Sequence, residues 1–285
     1  LYTTVFLFAN FFFLAHTFDM DRNSNKINEG NSSGKKQTSW GKVADWYDDV
    51  LNKERSYQKE VILPNLIRLL EIKKGESVID IACGQGFFAR AIHDLGASVL
   101  GVDIGKELIE IAKKEKQKDI EYIVSSADNL PINLTNKFDK AIIVLAIQNI
   151  KDLNKTINEA YRVLKNNGKL FIVLNHPSFR IPKKSSWGFD NATNSQYRRI
   201  DSYMSESENK MDMNPGSSYK DKEFTISFHR PLQVYFKALN KSGFRIGRLE
   251  EWISHKESAP GPKAQEENRI RKEIPMFMVI EAIKS

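Results

Sequence analysis

Val78-Ile79-Asp80-Ile81-Ala82-Cys83-Gly84-Gln85-Gly86 runs from an apolar strand into a glycine turn, and a helical pattern over residues 88–94 follows it. Glycine suits the turn because a side chain there blocks backbone approach to a ligand over the strand's carboxyl end. Nineteen residues after Gly84 comes Asp103, at the tip of a second strand, where a carboxylate can accept hydrogen bonds from a ribose diol. The glycine pair alone is weak evidence, since many strand-to-helix turns use it for close packing. The order strand, glycine turn, helix, strand, Asp is much stronger.

Outward from this unit the pattern repeats in kind. Strand-like apolar runs occur at residues 77–82, 98–103, 120–124, 140–145 and 169–175. Helical periods lie between them, at 88–94 with Gly96 as its stop, at 106–116 with lysines in the last turn, and at 152–165 with Gly168 beyond it. Upstream, residues 40–54 and 57–71 read as amphipathic helices, the second divided by Pro64. Downstream, a helix over 231–241 starts at a proline and stops at Gly243, and strands at 245–252 and 276–283 complete the sheet. This alternation predicts an α/β fold with a parallel sheet covered by helices on both faces.

Composition narrows the class. The 285 residues are 41% apolar and 28% charged, which excludes collagenous, fully disordered and multi-span membrane chains. The net charge of +7 favours anionic partners without saying anything about fold. A single cysteine, Cys83, excludes an intrachain disulfide and points to a reducing, cytoplasmic setting. The five histidines do not fall at zinc-ligand spacing, so no metal is expected. Residues 1–18 hold 13 apolar residues and no Lys, Arg, Asp or Glu, marginal for a spanning helix and without a clear signal-peptide layout. Residues 1–19 are read as upstream sequence outside the working protein, with a membrane anchor or a poor signal segment as alternatives. Residues 20–39, rich in Asn, Ser, Gly and Lys, read as a disordered linker.

Two features choose among nucleotide ligands. Asp80, four residues before Gly84, stands where a nicotinamide or flavin dinucleotide site usually has an apolar residue, and suits a ligand carrying an ammonium group. Ser126-Ala127-Asp128-Asn129-Leu130-Pro131 follows the third strand and offers a carboxylate to an adenine amino group.

Here the chain resembles a known family. DIACGQG is similar to the first motif of class I S-adenosylmethionine-dependent methyltransferases, GVDIG to their ribose acid and SSADNLP to their adenine-edge loop. The segment from Phe138 to Pro177 resembles their fourth and fifth strands with the helix between. The likeness covers residues 40–285 and is greatest to the small-molecule, methyltransferase type 11-like branch that includes quinone-biosynthesis enzymes. It implies a Rossmann-like seven-stranded sheet whose last strand is antiparallel. It further implies a helical cap over 40–73, with Trp46 or Tyr47 near the cofactor or simply in the core. The remaining parts are a core of 74–176 and 230–285 and a lid insertion over 177–229. S-adenosylmethionine is the implied cofactor, with Asp80, Ala82, Cys83, Gly84, Gly86, Asp103, Ile104, Asp128, Asn129, Leu145 and Gln148 as its binding residues. Cys83 reads as a small residue in a tight turn and not as a nucleophile.

The acceptor side is thinner. Residues 177–223 carry scattered apolar residues with no sustained period, which is typical of a lid or substrate cap. His176-Pro177 and Phe228-His229-Arg230-Pro231-Leu232 resemble segments at corresponding places in small-molecule relatives. His176, His229 and Tyr197 are therefore expected to be catalytic, and Arg230 to bind the acceptor. Two rivals to a small-molecule enzyme remain, a nucleic-acid or protein methyltransferase and a non-catalytic binding module. Residues 177–230 hold nine Lys/Arg against seven Asp/Glu, so charge is not gathered into a phosphate-binding stripe. The chain after the fourth strand reads Ala146-Ile147-Gln148-Asn149, which lacks the Asn-Pro-Pro-aromatic run of amino-directed base methylation.

Overall fold

The computed structural model describes residues 55–114, 119–213 and 224–285. The expectations for the leader, the linker and the first helix of the cap, with Trp46 and Tyr47, lie outside these residues, as does the end of the helix predicted over 106–116.

A π-helical turn, Gln58–Ile62, enters α1 (Leu63–Leu70). Pro64 sits in the first turn of α1, where its missing N–H leaves no ladder bond broken, and the irregular turn precedes it. Then come β1 (Ser77–Ile81), α2 (Phe87–His93), β2 (Ser98–Asp103), α3 (Lys106–Lys114), β3 (Glu121–Val124) and β4 (Phe138–Val144). A 3-10 turn at Ile147–Asn149 leads to α4 (Leu153–Val163) and β5 (Leu164–Asn175). Next are β6 (Ser185–Asp190), β7 (Ser195–Ile200), β8 (Ser207–Asp212) and β9 (Phe224–His229). The chain closes with α5 (Leu232–Lys241), β10 (Phe244–Trp252), α6 (Ala264–Glu273) and β11 (Phe277–Lys284).

Seven strands form one sheet in the order β10-β11-β5-β4-β1-β2-β3. β11 runs antiparallel to both β5 and β10, and the pairs among β1 to β5 are parallel. Alternate residues of each strand feed two cores. Ile79, Ile81, Ile143 and Ile172 pack on one face with Ile157 of α4 and Leu239 of α5. Val78, Ile142, Phe171 and Val173 pack on the other with Leu66 of α1, Ile92 of α2 and Ile109 of α3. Burial on both faces is why these strands read as unbroken apolar runs. Each such fully buried side chain stabilises the fold by roughly 1.5–3 kcal/mol.

Two details differ from the sequence reading. The helix predicted over 152–165 ends at Val163, because Leu164 already pairs with Phe138 as the first residue of β5. The segment between β5 and α5 is not without regular structure. It holds two antiparallel ribbons, β6 with β7 and β8 with β9. Two cross-strand contacts support the first of them, Tyr197 lying over Gly188 and Arg198 stacking 5.0 Å from the Trp187 ring, and Gln196 N–H ties it to Glu266 of α6. Among the described residues no helix is long and apolar enough to cross a membrane.

Candidate functional site

The order of the sheet reverses between β1 and β4, and a cleft opens at their carboxyl ends, where doubly wound sheets take ligands. Its wall includes Asp80, Ala82, Cys83, Gly84, Asp103, Ile104 and Leu145, all named from the sequence. Ala82 (φ 60°) and Leu145 (φ 54°) take left-handed backbone at the ends of β1 and β4, an uncommon conformation for residues with a Cβ and a known mark of functional turns.

Asp103 stitches the turn together. Gly84 N–H donates to its Oδ2 at 2.9 Å and Gly105 N–H to its Oδ1 at 2.7 Å. A carboxylate has about four acceptor positions, so hydroxyls of a ribose still find lone pairs there. Asp80 is 1% exposed, and its Oδ2 has no hydrogen-bond partner. Burial pushes its carboxyl up to about 8, the negative charge of Asp103 adds to the rise, and the Ala89 N–H opposes it. Burial raises Asp103 as well, against its backbone donors. A buried carboxylate oxygen without a partner fits an ammonium group, so the residues present suit the methionine end and the ribose of S-adenosylmethionine. Burial also pushes the Cys83 thiol well up, which keeps it out of nucleophilic chemistry.

Gly86 has a different reason from the one expected. Its φ is 81°, and a Cβ there would run into the buried Tyr122 ring of β3. Tyr122 covers Gly101 in the same way, so close packing and turn geometry demand this glycine before any ligand does.

Gln148 does not line the cleft. It is buried with its Nε2 donating to the Leu145 carbonyl, whereas its neighbour Asn149 forms part of the wall. Asp128 and Asn129 also lie off the cleft wall. Asp128 accepts from Ser126 Oγ, and Asn129 borders a separate shallow cleft with Ser125 and Pro131. Wall residues that the motifs did not reveal include Phe87, Leu108, Asn149 and Ile150. Leu108 was findable, one helical turn after the Ile104 that follows the ribose acid.

The acceptor residues are brought to different places. His176 ends β5 and is buried, but both ring nitrogens are engaged. Ser178 N–H donates to Nδ1 at 3.2 Å, so Nε2 carries the proton and donates to Glu251 at 2.6 Å. It is therefore fixed as a bridge to β10 and not free as a base. His229 at the end of β9 donates from Nε2 to the Tyr203 carbonyl at 2.8 Å, which leaves Nδ1 as an acceptor. Burial lowers both imidazoles, against the Glu251 contact in one and the Tyr203 contact in the other. Tyr197 is 49% exposed on β7 and lies over Gly188, away from the cleft wall. Arg230 is buried and donates to the carbonyls of Ile147, Ile150 and Lys151, so it holds main chain and no substrate.

Comparison with known proteins agrees with this geometry. Residues 79–172 match the Methyltransf_11 family, a methyltransferase domain. The demethylmenaquinone methyltransferase of Paenarthrobacter aurescens (strain TC1) is 30% identical over 144 residues, 49% of this chain and 55% of that protein. The ubiquinone biosynthesis O-methyltransferase of Pelagibacter ubique (strain HTCC1062) is 30% identical over 158 residues, 50% of this chain and 65% of that one. The chain thus spans between half and two thirds of the length of these curated relatives. The crystal structure of an S-adenosylmethionine dependent methyltransferase from Mesorhizobium loti is similar over 78% of this chain and 96% of its own, with a TM-score of 0.62 and 27% identity. The strand order, the glycine turn with its two acids and the matched residues 79–172 give this chain the Rossmann-like fold of S-adenosylmethionine-dependent methyltransferases, with a core similar to the Methyltransf_11 domain.

Proposed function

We propose that this chain methylates a small-molecule acceptor with S-adenosylmethionine as donor. The observation that carries the reading is Asp80: a buried carboxylate with one oxygen unpartnered, in the wall of a cleft at the switch point of the sheet. When bound, the cofactor supplies an electrophilic methyl group on a sulfonium. Asp80 Oδ2 holds the ammonium group, and Asp103 accepts from the ribose hydroxyls while its backbone bonds keep the Gly84 turn in place. Ile104 and Leu108 give the apolar contact for the base.

On the acceptor side, His229 also lies outside the cleft wall, but of the two histidines named from the sequence it is the one whose second ring nitrogen is left to accept. Its lowered imidazole is neutral near pH 7, and Nδ1 can take a proton from an acceptor hydroxyl. The β6–β9 insertion acts as the substrate cap, with β9 hydrogen-bonded to the cleft through Asn149 Nδ2 and the Ile226 carbonyl at 2.9 Å. The quinone substrates in the names of two relatives support a quinone-type ring as the first acceptor to assay. The test is transfer of labelled methyl from the donor into a metabolite extract, run beside RNA and DNA pools. Label in a small organic fraction supports the reading. Label in nucleic acid alone, or in nothing despite donor binding, overturns it.

A further inference from the structure

We propose that Arg230 is a positioning residue for the donor cleft, acting through the turn at residues 147–151. This rests on the methyltransferase reading above and goes beyond it, since Arg230 touches neither donor nor acceptor in that scheme.

The turn leaves β4 through the left-handed Leu145, makes one 3-10 turn at Ile147–Asn149 and enters α4. Asn149 and Ile150 from this turn stand in the cleft wall. Within the turn the Ile147 carbonyl accepts the Ile150 N–H at 3.4 Å, while the carbonyls of Ile150 and Lys151 follow the turn and precede α4, outside either helical ladder. Arg230 meets all three carbonyls from the far side of the insertion. Its Nη2 donates to the Ile150 and Lys151 carbonyls, each at 2.8 Å, and its Nη1 donates to the Ile147 carbonyl at 3.3 Å. A planar fork of donors can serve three carbonyls at once, which an ammonium on a flexible stem cannot do in the same geometry. Arg230 is 5% exposed and its guanidinium lies 5.1 Å from the Phe228 ring centroid, so water is a poor substitute for it. The second tie, from Asn149 to the Ile226 carbonyl, comes from β9, the strand that ends just before Arg230. The turn that lines the cleft is therefore held twice by one edge of the insertion.

The consequence is that the donor affinity of the cleft depends on a residue that does not touch the donor. The test is calorimetric titration of the full 285-residue chain with S-adenosylhomocysteine, in wild type, Arg230→Lys and Phe228→Leu, with thermal unfolding followed for each. A merely structural defect lowers the melting temperature without changing the affinity of the molecules that remain folded. With Arg230→Lys, Kd should rise about fivefold to thirtyfold, the size expected when buried carbonyls lose their donors. Phe228→Leu, which loosens the guanidinium and leaves it in place, should raise Kd by roughly twofold to fivefold and keeps the test open if the lysine variant does not fold. A folded Arg230→Lys with wild-type affinity overturns the proposal, and so does an unchanged Phe228→Leu where the lysine variant is lost. Wild type that fails to bind S-adenosylhomocysteine overturns the donor reading, and this one with it.

Discussion

The carboxyl ends of β1 and β2 and the insertion between β5 and α5 treat buried polar groups in opposite ways. At the strand ends Asp80 is sealed from water with one oxygen unpartnered, and Asp103 is held by two backbone donors yet keeps acceptor capacity. Across the insertion and its flanks the conspicuous polar side chains are consumed by the protein itself. His176 bridges Ser178 and Glu251, Arg230 spends its donors on main-chain carbonyls, and Arg198 donates to the Phe179 carbonyl and Ser185. Thr225 Oγ1 on β9 stands apart from these, buried without a partner. An unsatisfied buried group costs about 1–3 kcal/mol, so a fold keeps one where a ligand completes it. The donor end is built to receive a ligand, while most of the acceptor-side candidates are already part of the scaffold.

Gly86→Val attacks the donor end hardest. The left-handed backbone and the Tyr122 ring together should make it lose roughly 2–5 kcal/mol, read as a lower urea midpoint. Gly86→Ala combined with Tyr122→Leu should recover part of that loss. If the pair recovers nothing, ring packing is not what requires this glycine.

Turnover sharpens the contrast on the other side. His229→Ala should depress kcat by about a hundredfold or more, the ordinary contribution of a general base. His176→Ala should keep turnover and instead lose about 1–3 kcal/mol of stability, because it leaves Glu251 and the Ser178 N–H without their partner. Reversed results would exchange the two roles.

Asp80→Asn should weaken S-adenosylhomocysteine binding about tenfold to a hundredfold, as loss of a charge-assisted bond predicts. It also has a pH signature. The folded carboxyl sits at about 8, well above the ordinary value an unfolded chain shows. Between those values the folded state holds a proton that the unfolded state has released. The donor-free protein should therefore lose stability as pH rises from about 4 to about 8, and Asp80→Asn should flatten that slope. Melting curves across this range with an unchanged slope in the variant would remove Asp80 as the source.

The smallest effect belongs to Ala82→Gly. Removing the Cβ from a residue at φ 60° should stabilise the fold by about 0.5–1 kcal/mol, seen as a modest rise in Tm. A drop would mean that the Ala82 methyl group packs to advantage in the cleft wall.

What the sequence determined by itself is the sheet, its helices and the donor turn. These depend on short-range rules: unbroken apolar runs buried on both faces, proline and glycine at helix ends, and a glycine turn followed by an acid within one strand–helix–strand unit. Asp80, Asp103 and Gly84 were legible because their neighbours along the chain fix where they stand. The ribbons of the insertion were not, since cross-strand partners and not a core-facing period hold them. Nor were the roles of the acceptor-side residues. His229 meets its carbonyl 26 residues away, His176 its acid 75 away and Arg230 its nearest carbonyls 79 to 83 away. A motif places a backbone. Whether a side chain there is spent on the scaffold or left for a ligand depends on groups that only the folded chain brings within hydrogen-bond reach.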